Sequence, residues 1–152
     1  MITPRRDVQR IVPMLAYNDA GAAVAFLCRA FGFHELYRLP MSDGRIGHCE
    51  LAFRGNVVYV ASAYPELGMR SPKDLPALAV RLAVEVEDVD AHCASARAAG
   101  AAIVLEPADQ FYGERTYHAL DLEGHRWIFR QHIRDVSVEE MLRHTRGGAR
   151  ST

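Results

Sequence analysis

The chain has 152 residues, of which 49% are hydrophobic and 24% are charged, which suits one globular domain with a substantial apolar core. A formal net charge of −1 gives no electrostatic reason to expect nucleic acid or an anionic membrane as a partner. No apolar stretch approaches the roughly 18 residues of a membrane span, and the first residues lead into no signal-type core. Cys28, Cys49 and Cys93 lie far apart without a CxxC motif, so we expect buried thiols in the reducing cytoplasm.

The first half of the chain predicts a strand, a helix and three further strands. Asn18 and Asp19 are typical helix N-caps and Gly32 is typical of a helix end, so the sequence predicts a helix over residues 20–30. The predicted strands span residues 9–16, 33–39, 46–53 and 57–61, with turns at 43–44 and 54–56. Residues 63–76 contain three prolines and are expected to form a mobile loop close to any ligand.

The second half of the chain repeats this order of elements. A strand at 78–86 precedes a helix that begins after the cap Asp88 and ends at Gly100, and a strand at 102–105 follows. The chain then forms a hairpin, with strands at 115–121 and 126–133 around Leu122-Glu123-Gly124. Alternation along the second hairpin strand separates two faces, one with Trp127, Phe129 and Gln131 and the other with Arg126, Ile128, Arg130 and His132.

The spacing of helix caps and turns indicates an internal repeat. Asp19 and Asp88 are 69 residues apart, and Gly55 and Gly124 have the same separation. This coincidence predicts two βαβββ modules, at about residues 9–62 and 78–133, within a single domain spanning residues 1–152. The fold class is then α+β, with a curved mixed sheet around a cleft. The alternative is an unbroken α+β sandwich without internal symmetry. A helical tail at 135–144 would dock on the domain or on a second subunit.

Short motifs in the second half carry a resemblance to a known superfamily. The paired βαβββ plan and the turn Asp121-x-x-Gly124-His125 resemble the vicinal-oxygen-chelate superfamily, which includes glyoxalase I, fosfomycin-resistance proteins, extradiol dioxygenases and bleomycin-resistance proteins. Tyr112-Gly113-x-Arg115, the extension of the turn to Arg126-Trp127 and the ending at 132–141 resemble, more narrowly, the PhnB-like glyoxalase-family proteins. The resemblance covers about residues 9–141. It implies the fold but no single chemistry, because the superfamily hosts unrelated reactions.

The resemblance also indicates where the family's enzymes hold a divalent metal, with one His, Gln or Glu from the first and fourth strands of each module. In this chain those positions carry Val12, Tyr59, Arg81 and Ile128. Valine and isoleucine have no donor atoms, and a guanidinium brings positive charge to the place of a cation. We therefore expect no metal, no other cofactor and no catalytic residue of the family's kind.

A small-molecule pocket is expected on the strand face that would line the cleft. Arg81 would pair there with a ligand carboxylate or phosphate, or alternatively with Glu85 on the same strand face. His118 is expected to contact the ligand, and Tyr59 and Tyr112 would stack on a planar group, unless Tyr59 simply fills the space of the metal. Solvated or locally hydrogen-bonded roles are expected for His34, His48, His92 and His144. The candidate ligand-binding residues are Met14, Tyr59, Arg81, Glu85, Tyr112, Thr116, His118, Arg126 and Ile128.

Three functional hypotheses follow from the sequence. The first is a metal-free binding protein that sequesters or carries a small organic molecule, and the missing metal ligands favour it. The second is a lyase, isomerase or dioxygenase with an atypical metal site or none, and the third is a structural or regulatory domain. Arg81, Arg126 and Arg130 favour an anionic or neutral ligand over a cationic one. We expect a homodimer, because βαβββ modules expose edge strands and family members commonly pair two chains.

Overall fold

A computed structural model of the chain describes residues 9–147. The chain divides after Ala77 into two compact units, and each contains one four-stranded mixed sheet with a helix packed on it. This confirms the α+β class and the two repeated βαβββ modules, and it excludes the unbroken sandwich without internal symmetry.

Unit 1 has the strand order β1-β4-β3-β2. Its first strand runs parallel to its fourth, and the remaining pairs are antiparallel. The parallel pair requires a crossover, which the helix provides. The elements are β1 (Met14–Tyr17), α1 (Ala20–Phe31), β2 (His34–Pro40), β3 (Ile46–Phe53) and β4 (Asn56–Ser62).

Unit 2 has the equivalent strand order, β5-β8-β7-β6, with β5 parallel to β8. Its elements are β5 (Arg81–Glu85), α2 (Val89–Ala98), β6 (Ala102–Asp109), β7 (Glu114–Leu120), β8 (Arg126–His132) and α3 (Val138–Arg146). Met14 pairs with Tyr59 in unit 1, and Ala83 pairs with Ile128 in unit 2. Both partners are displaced by the same 69 residues that separate the caps, so the repeat extends to the strand register.

The predicted element boundaries are close to the observed ones, apart from three strands and the C-terminal helix, which the sequence predicts at 135–144 and which spans Val138–Arg146. The first strand begins at Met14 rather than at residue 9, because Pro13 has no backbone N–H to donate. Before it, the Gln9 side-chain amide takes the place of backbone pairing, since it hydrogen-bonds both the N–H and the carbonyl of Val57. The strand predicted at 78–86 is shorter, and the one predicted at 102–105 extends to Asp109. Pro107 is tolerated there because β6 is an edge strand with an irregular register.

The loop at 63–76 contains two short 3-10 turns, Pro65–Leu67 and Pro72–Asp74.

The helix caps follow the sequence prediction. The Asp19 carboxylate accepts from the N–H of Ala22 at 2.9 Å, and the Asp88 carboxylate accepts from the N–H of Ala91 at 2.9 Å. Gly32 ends α1 in the left-handed region at φ 81°.

Each sheet buries one face against its own helix. In unit 2 this face consists of Tyr117, Ala119, Trp127 and Phe129, all fully buried. The Tyr117 hydroxyl lies 2.7 Å from Nδ1 of His92 on α2, so His92 has the local hydrogen bond that the sequence predicted for it. The opposite surface, here called the open face of unit 2, carries Arg81, Ala83, Glu85, Thr116, His118, Arg126, Ile128 and Arg130.

One buried carboxylate organises the hairpin between β7 and β8. Oδ1 of Asp121 accepts from the backbone N–H groups of Glu123, Gly124 and His125, each at 3.1 Å. Oδ2 accepts from the indole N–H of Trp127 at 3.0 Å. The turn and the largest core side chain are therefore fixed by the same residue.

Replacing Asp121 by Ala should destabilise the fold by about 3 kcal/mol, because buried donors lose a charged acceptor. The measurement is urea unfolding at pH 7. Asp43→Ala is the matched control, since Asp43 accepts from the N–H of Arg45 in an exposed turn and its removal should leave the midpoint nearly unchanged. Equal effects of the two substitutions would contradict the role given to Asp121.

Candidate ligand-binding site

The charges on the open face of unit 2 are unevenly paired. Arg130 binds the carboxylate of Glu114, and its Nη2 lies 3.5 Å from the carboxylate of Glu85. Glu85 is the direct cross-strand partner of Arg130 in the β5–β8 ladder, whereas Arg81 lies four residues earlier on β5. The predicted alternative of an Arg81–Glu85 ion pair is therefore wrong. Glu114 precedes Thr116 by two residues on β7 and lies on the same face, so the acidic side chains of β5 and β7 on this face both pair with Arg130.

Arg81 lies directly opposite Arg126 in the same ladder. No described residue gives either guanidinium a carboxylate partner. Like charges at directly opposed strand positions are unfavourable. The register thus produces a concentration of positive charge at one end of the open face.

His118 lies beside this arginine pair. Burial lowers the pKa of its imidazole, and the charges of Arg126 and Arg81 lower it further. The neutral imidazole is therefore favoured. Two buried side-chain nitrogens, Nδ1 of His118 and Nε of Arg126, have no hydrogen-bond partner within residues 9–147. Both atoms belong to the cluster of Arg81, Arg126 and His118, here called the patch.

Thr116 and Tyr112 border the patch with hydroxyl groups. The buried Thr116 hydroxyl accepts from Nε2 of Gln110 at 3.1 Å. Burial is the main cause that raises the pKa of Tyr112, and the Glu114 charge adds to this rise. The Thr116 hydroxyl and the Arg81 charge act in the opposite direction. Sequence reasoning missed Gln110, since it ended the preceding strand at residue 105.

Ile128 supplies apolar surface next to the polar groups. It pairs with Ala83 on one side and with His118 on the other. The open face of unit 2 therefore brings together six of the predicted ligand-binding residues, Arg81, Glu85, Thr116, His118, Arg126 and Ile128, with Tyr112 at their border.

Met14 and Tyr59, the other two predicted residues, belong to unit 1 and are paired neighbours there. The Tyr59 ring packs against His48 at 4.6 Å between centroids. Glu50 accepts from the Tyr37 hydroxyl at 3.0 Å and lies 3.3 Å from Nε2 of His48. Sequence reasoning assigned a ligand role to Tyr59 but did not group it with Tyr37, His48 and Glu50, although alternation along β3 places His48 and Glu50 on one face.

Comparison with known proteins assigns the family. The family model described as Glyoxalase/Bleomycin resistance protein/Dioxygenase superfamily matches residues 9–129. The chain belongs to this superfamily. The narrower resemblance to PhnB-like proteins stays a prediction.

Several relatives share the superfamily fold. An uncharacterized protein of Mycobacterium bovis is 35% identical over 132 residues, which are 85% of this chain and 87% of the relative. The crystal structure of TioX from Micromonospora sp. ML1 is 36% identical, with a TM-score of 0.65 over 83% of this chain and 100% of that chain. FosX from Listeria monocytogenes, a fosfomycin resistance protein complexed with Mn(II) and sulfate, is 16% identical, with a TM-score of 0.61 over 88% of this chain and 97% of that chain. This last similarity is one of fold alone.

The residues at the positions that the resemblance assigns to the superfamily's metal do not fit a metal ion. Val12 and Ile128 offer no donor, Tyr59 packs on His48, and Arg81 faces a second arginine. Among residues 9–147, no three His, Cys, Asp or Glu side chains are grouped so that they could hold a metal ion. The chemistry of the donor set therefore disagrees with a family-type centre.

Among the helices in the described part of the chain, none is long and apolar enough to span a membrane.

His118 should titrate below its ordinary pKa of about 6.5, because burial and two nearby guanidinium groups disfavour its charged form. Arg126→Met should raise the pKa of His118 by removing one of these charges. An NMR titration of the imidazole nitrogens measures both values. Arg115→Met is the control, since Arg115 pairs with Asp90 of α2. A wild-type pKa of 6.5 or above would contradict the described environment.

Proposed function

We propose that this chain is a metal-free small-molecule-binding protein of the glyoxalase/bleomycin-resistance type, which sequesters or carries an anionic or neutral organic ligand. The observation that carries the proposal is the set of residues at the superfamily's metal positions, Val12, Tyr59, Arg81 and Ile128. Two have no donor atom, and a third is a permanent cation.

The surroundings of Arg81 support the same proposal. A divalent cation placed beside Arg81 and Arg126 would meet two positive charges at directly opposed strand positions. The carboxylates of Glu85 and Glu114 are already engaged by Arg130. A ligand that needs no metal fits this arrangement better than one that must be bound through a metal.

The apolar and aromatic side chains support an organic ligand. Ile128 and Ala83 lie between the charged positions on the open face of unit 2, and Tyr112 borders it. Pockets for organic molecules combine such apolar surface with a few convergent polar groups.

We further propose that the protein is a homodimer. The edge strand β2 exposes Leu36, Tyr37 and Leu39, each more than half accessible to solvent. An exposed strand edge with large apolar side chains is commonly covered by another chain.

Elemental analysis tests the absence of a metal. Protein purified without chelator should contain less than about one-tenth equivalent of Zn, Ni, Mn or Fe per chain, because no set of donors exists at the family positions. Ligand binding should also be unchanged by EDTA. Near-stoichiometric metal that is lost when Arg81 or His118 is substituted would instead favour a lyase, isomerase or dioxygenase with an atypical metal site.

Light scattering tests the homodimer. At micromolar concentration the particle mass should be twice the 17.0 kDa of one chain. The double substitution Leu36→Lys and Leu39→Lys should yield monomers, because it places charge on the exposed edge. Leu67→Lys is the control, since Leu67 is exposed in the loop outside the sheets. A wild-type monomer would refute the proposal.

A further inference from the structure

We propose that Arg81, Arg126 and His118 bind an oxyanion group, a carboxylate, phosphate or phosphonate, of a small organic ligand on the open face of unit 2. This inference rests on the proposed function and deepens it by naming the ligand's chemical class. The family resemblance makes Arg81 the counterpart of a metal ligand, and no comparison assigns any of these three residues a role in binding an oxyanion.

The first argument is the distribution of charge along the two parallel strands. At one end of β5 and β8, Glu85 faces Arg130 and the charges compensate. At the other end, Arg81 faces Arg126, and no carboxylate among residues 9–147 pairs with either guanidinium group. An anion between the two guanidinium groups would replace their repulsion by two attractive interactions.

The second argument is hydrogen bonding. Native proteins leave few buried polar atoms without a partner, and each such atom calls for an explanation. Nε of Arg126 is a donor that solvent does not reach, and within residues 9–147 it has no acceptor. Nδ1 of His118 is likewise shielded from solvent and has no hydrogen-bond partner among these residues. A ligand oxygen would satisfy the arginine donor, and the imidazole would donate to it from its protonated nitrogen.

The third argument is the shape of the donors. A guanidinium presents parallel N–H groups that match two oxygens of a carboxylate or phosphate, and a lysine ammonium does not. The Thr116 hydroxyl lies on the open face two residues from His118, and the Arg81 charge opposes the rise in the pKa of the Tyr112 phenol. The Tyr112 ring and Ile128 offer apolar contact to the organic part of the ligand.

His118 provides an internal reporter of the bound charge. It is flanked by Arg126 and Ile128 of β8, by the Arg81 charge from β5, and on β6 by the uncharged Leu105. Because the two arginines lower the pKa of His118, an anion that compensates them should raise it. Occupancy of the site is thus measurable by NMR at one side chain.

The experiment compares four probes by calorimetry and by NMR of the His118 imidazole: inorganic phosphate, phenylphosphonate, benzoate and the neutral benzamide. Wild type should bind the anions saturably and benzamide at least about tenfold more weakly. Added salt should weaken anion binding, because the site is partly open to solvent. Phenylphosphonate and benzoate distinguish a phosphorus oxyanion from a carboxylate as the preferred group.

Two variants test the residues. Arg126→Met should lower the affinity for the best anion by about 30-fold or more, because the buried Nε of Arg126 then no longer donates to the ligand. Arg81→Met should lower the affinity less, by about fivefold, because Arg81 is exposed and water screens its charge. Arg81→Lys should recover only part of the affinity. Arg115→Met is the matched control: it removes the same charge from the same unit, but next to Asp90 and Asp109, and should leave affinity unchanged.

The outcomes separate this inference from the proposed function. If benzamide binds as well as benzoate, or if Arg81→Met binds like wild type but unfolds several degrees earlier, the oxyanion site is refuted while small-molecule binding stands. If no anion binds because a carboxylate of a second copy occupies the patch, the inference is also refuted. Anion binding that appears only with added Mn²⁺ would refute the metal-free function itself.

Discussion

The arrangement of unit 2 depends on the carboxylate of Asp121. Its two oxygens join three backbone donors of the β7–β8 turn to the indole of Trp127 in the core. In a hairpin, a shift of one residue exchanges the two faces of a strand. The turn therefore decides that Tyr117 and Phe129 pack on α2 while His118 and Ile128 lie on the open face.

On that open face, the pairing of charges decides what the surface can bind. Arg130 forms ion pairs with both Glu85 and Glu114, so these carboxylates do not neutralise the charges of Arg81 and Arg126 at the other end of the strands. Arg81 and Arg126 remain side by side, and the family resemblance places Arg81 at one of the superfamily's metal positions. In the proposed function, the guanidinium of Arg81 takes the place of a metal cation as the group that attracts an anionic ligand.

The residues that make the sequence recognisable are mostly structural. Gly113 has φ 89°, and a Cβ there would lie 2.1 Å from the carbonyl oxygen of Arg134, so only glycine fits where the tail meets the hairpin. Arg115 bridges Asp90 and Asp109 on the α2 side. Gly113 and Arg115 of the recognised motif therefore stabilise the fold. The side chains that would contact a ligand are other residues of the same strands, so membership of the superfamily does not by itself identify a ligand.

The sequence by itself determined the helix caps, the hairpin turns, the 69-residue repeat and the division of β8 into two faces. These features arise from local backbone preferences and from side-chain alternation, which neighbouring residues specify. Only the tertiary structure decided that Glu85 binds Arg130 rather than Arg81, that Gln110 supports Thr116, and that Tyr37, His48 and Glu50 form a cluster with Tyr59. Each of these contacts joins different strands or a strand and a loop, and their partners are set by the register between segments that no local pattern encodes.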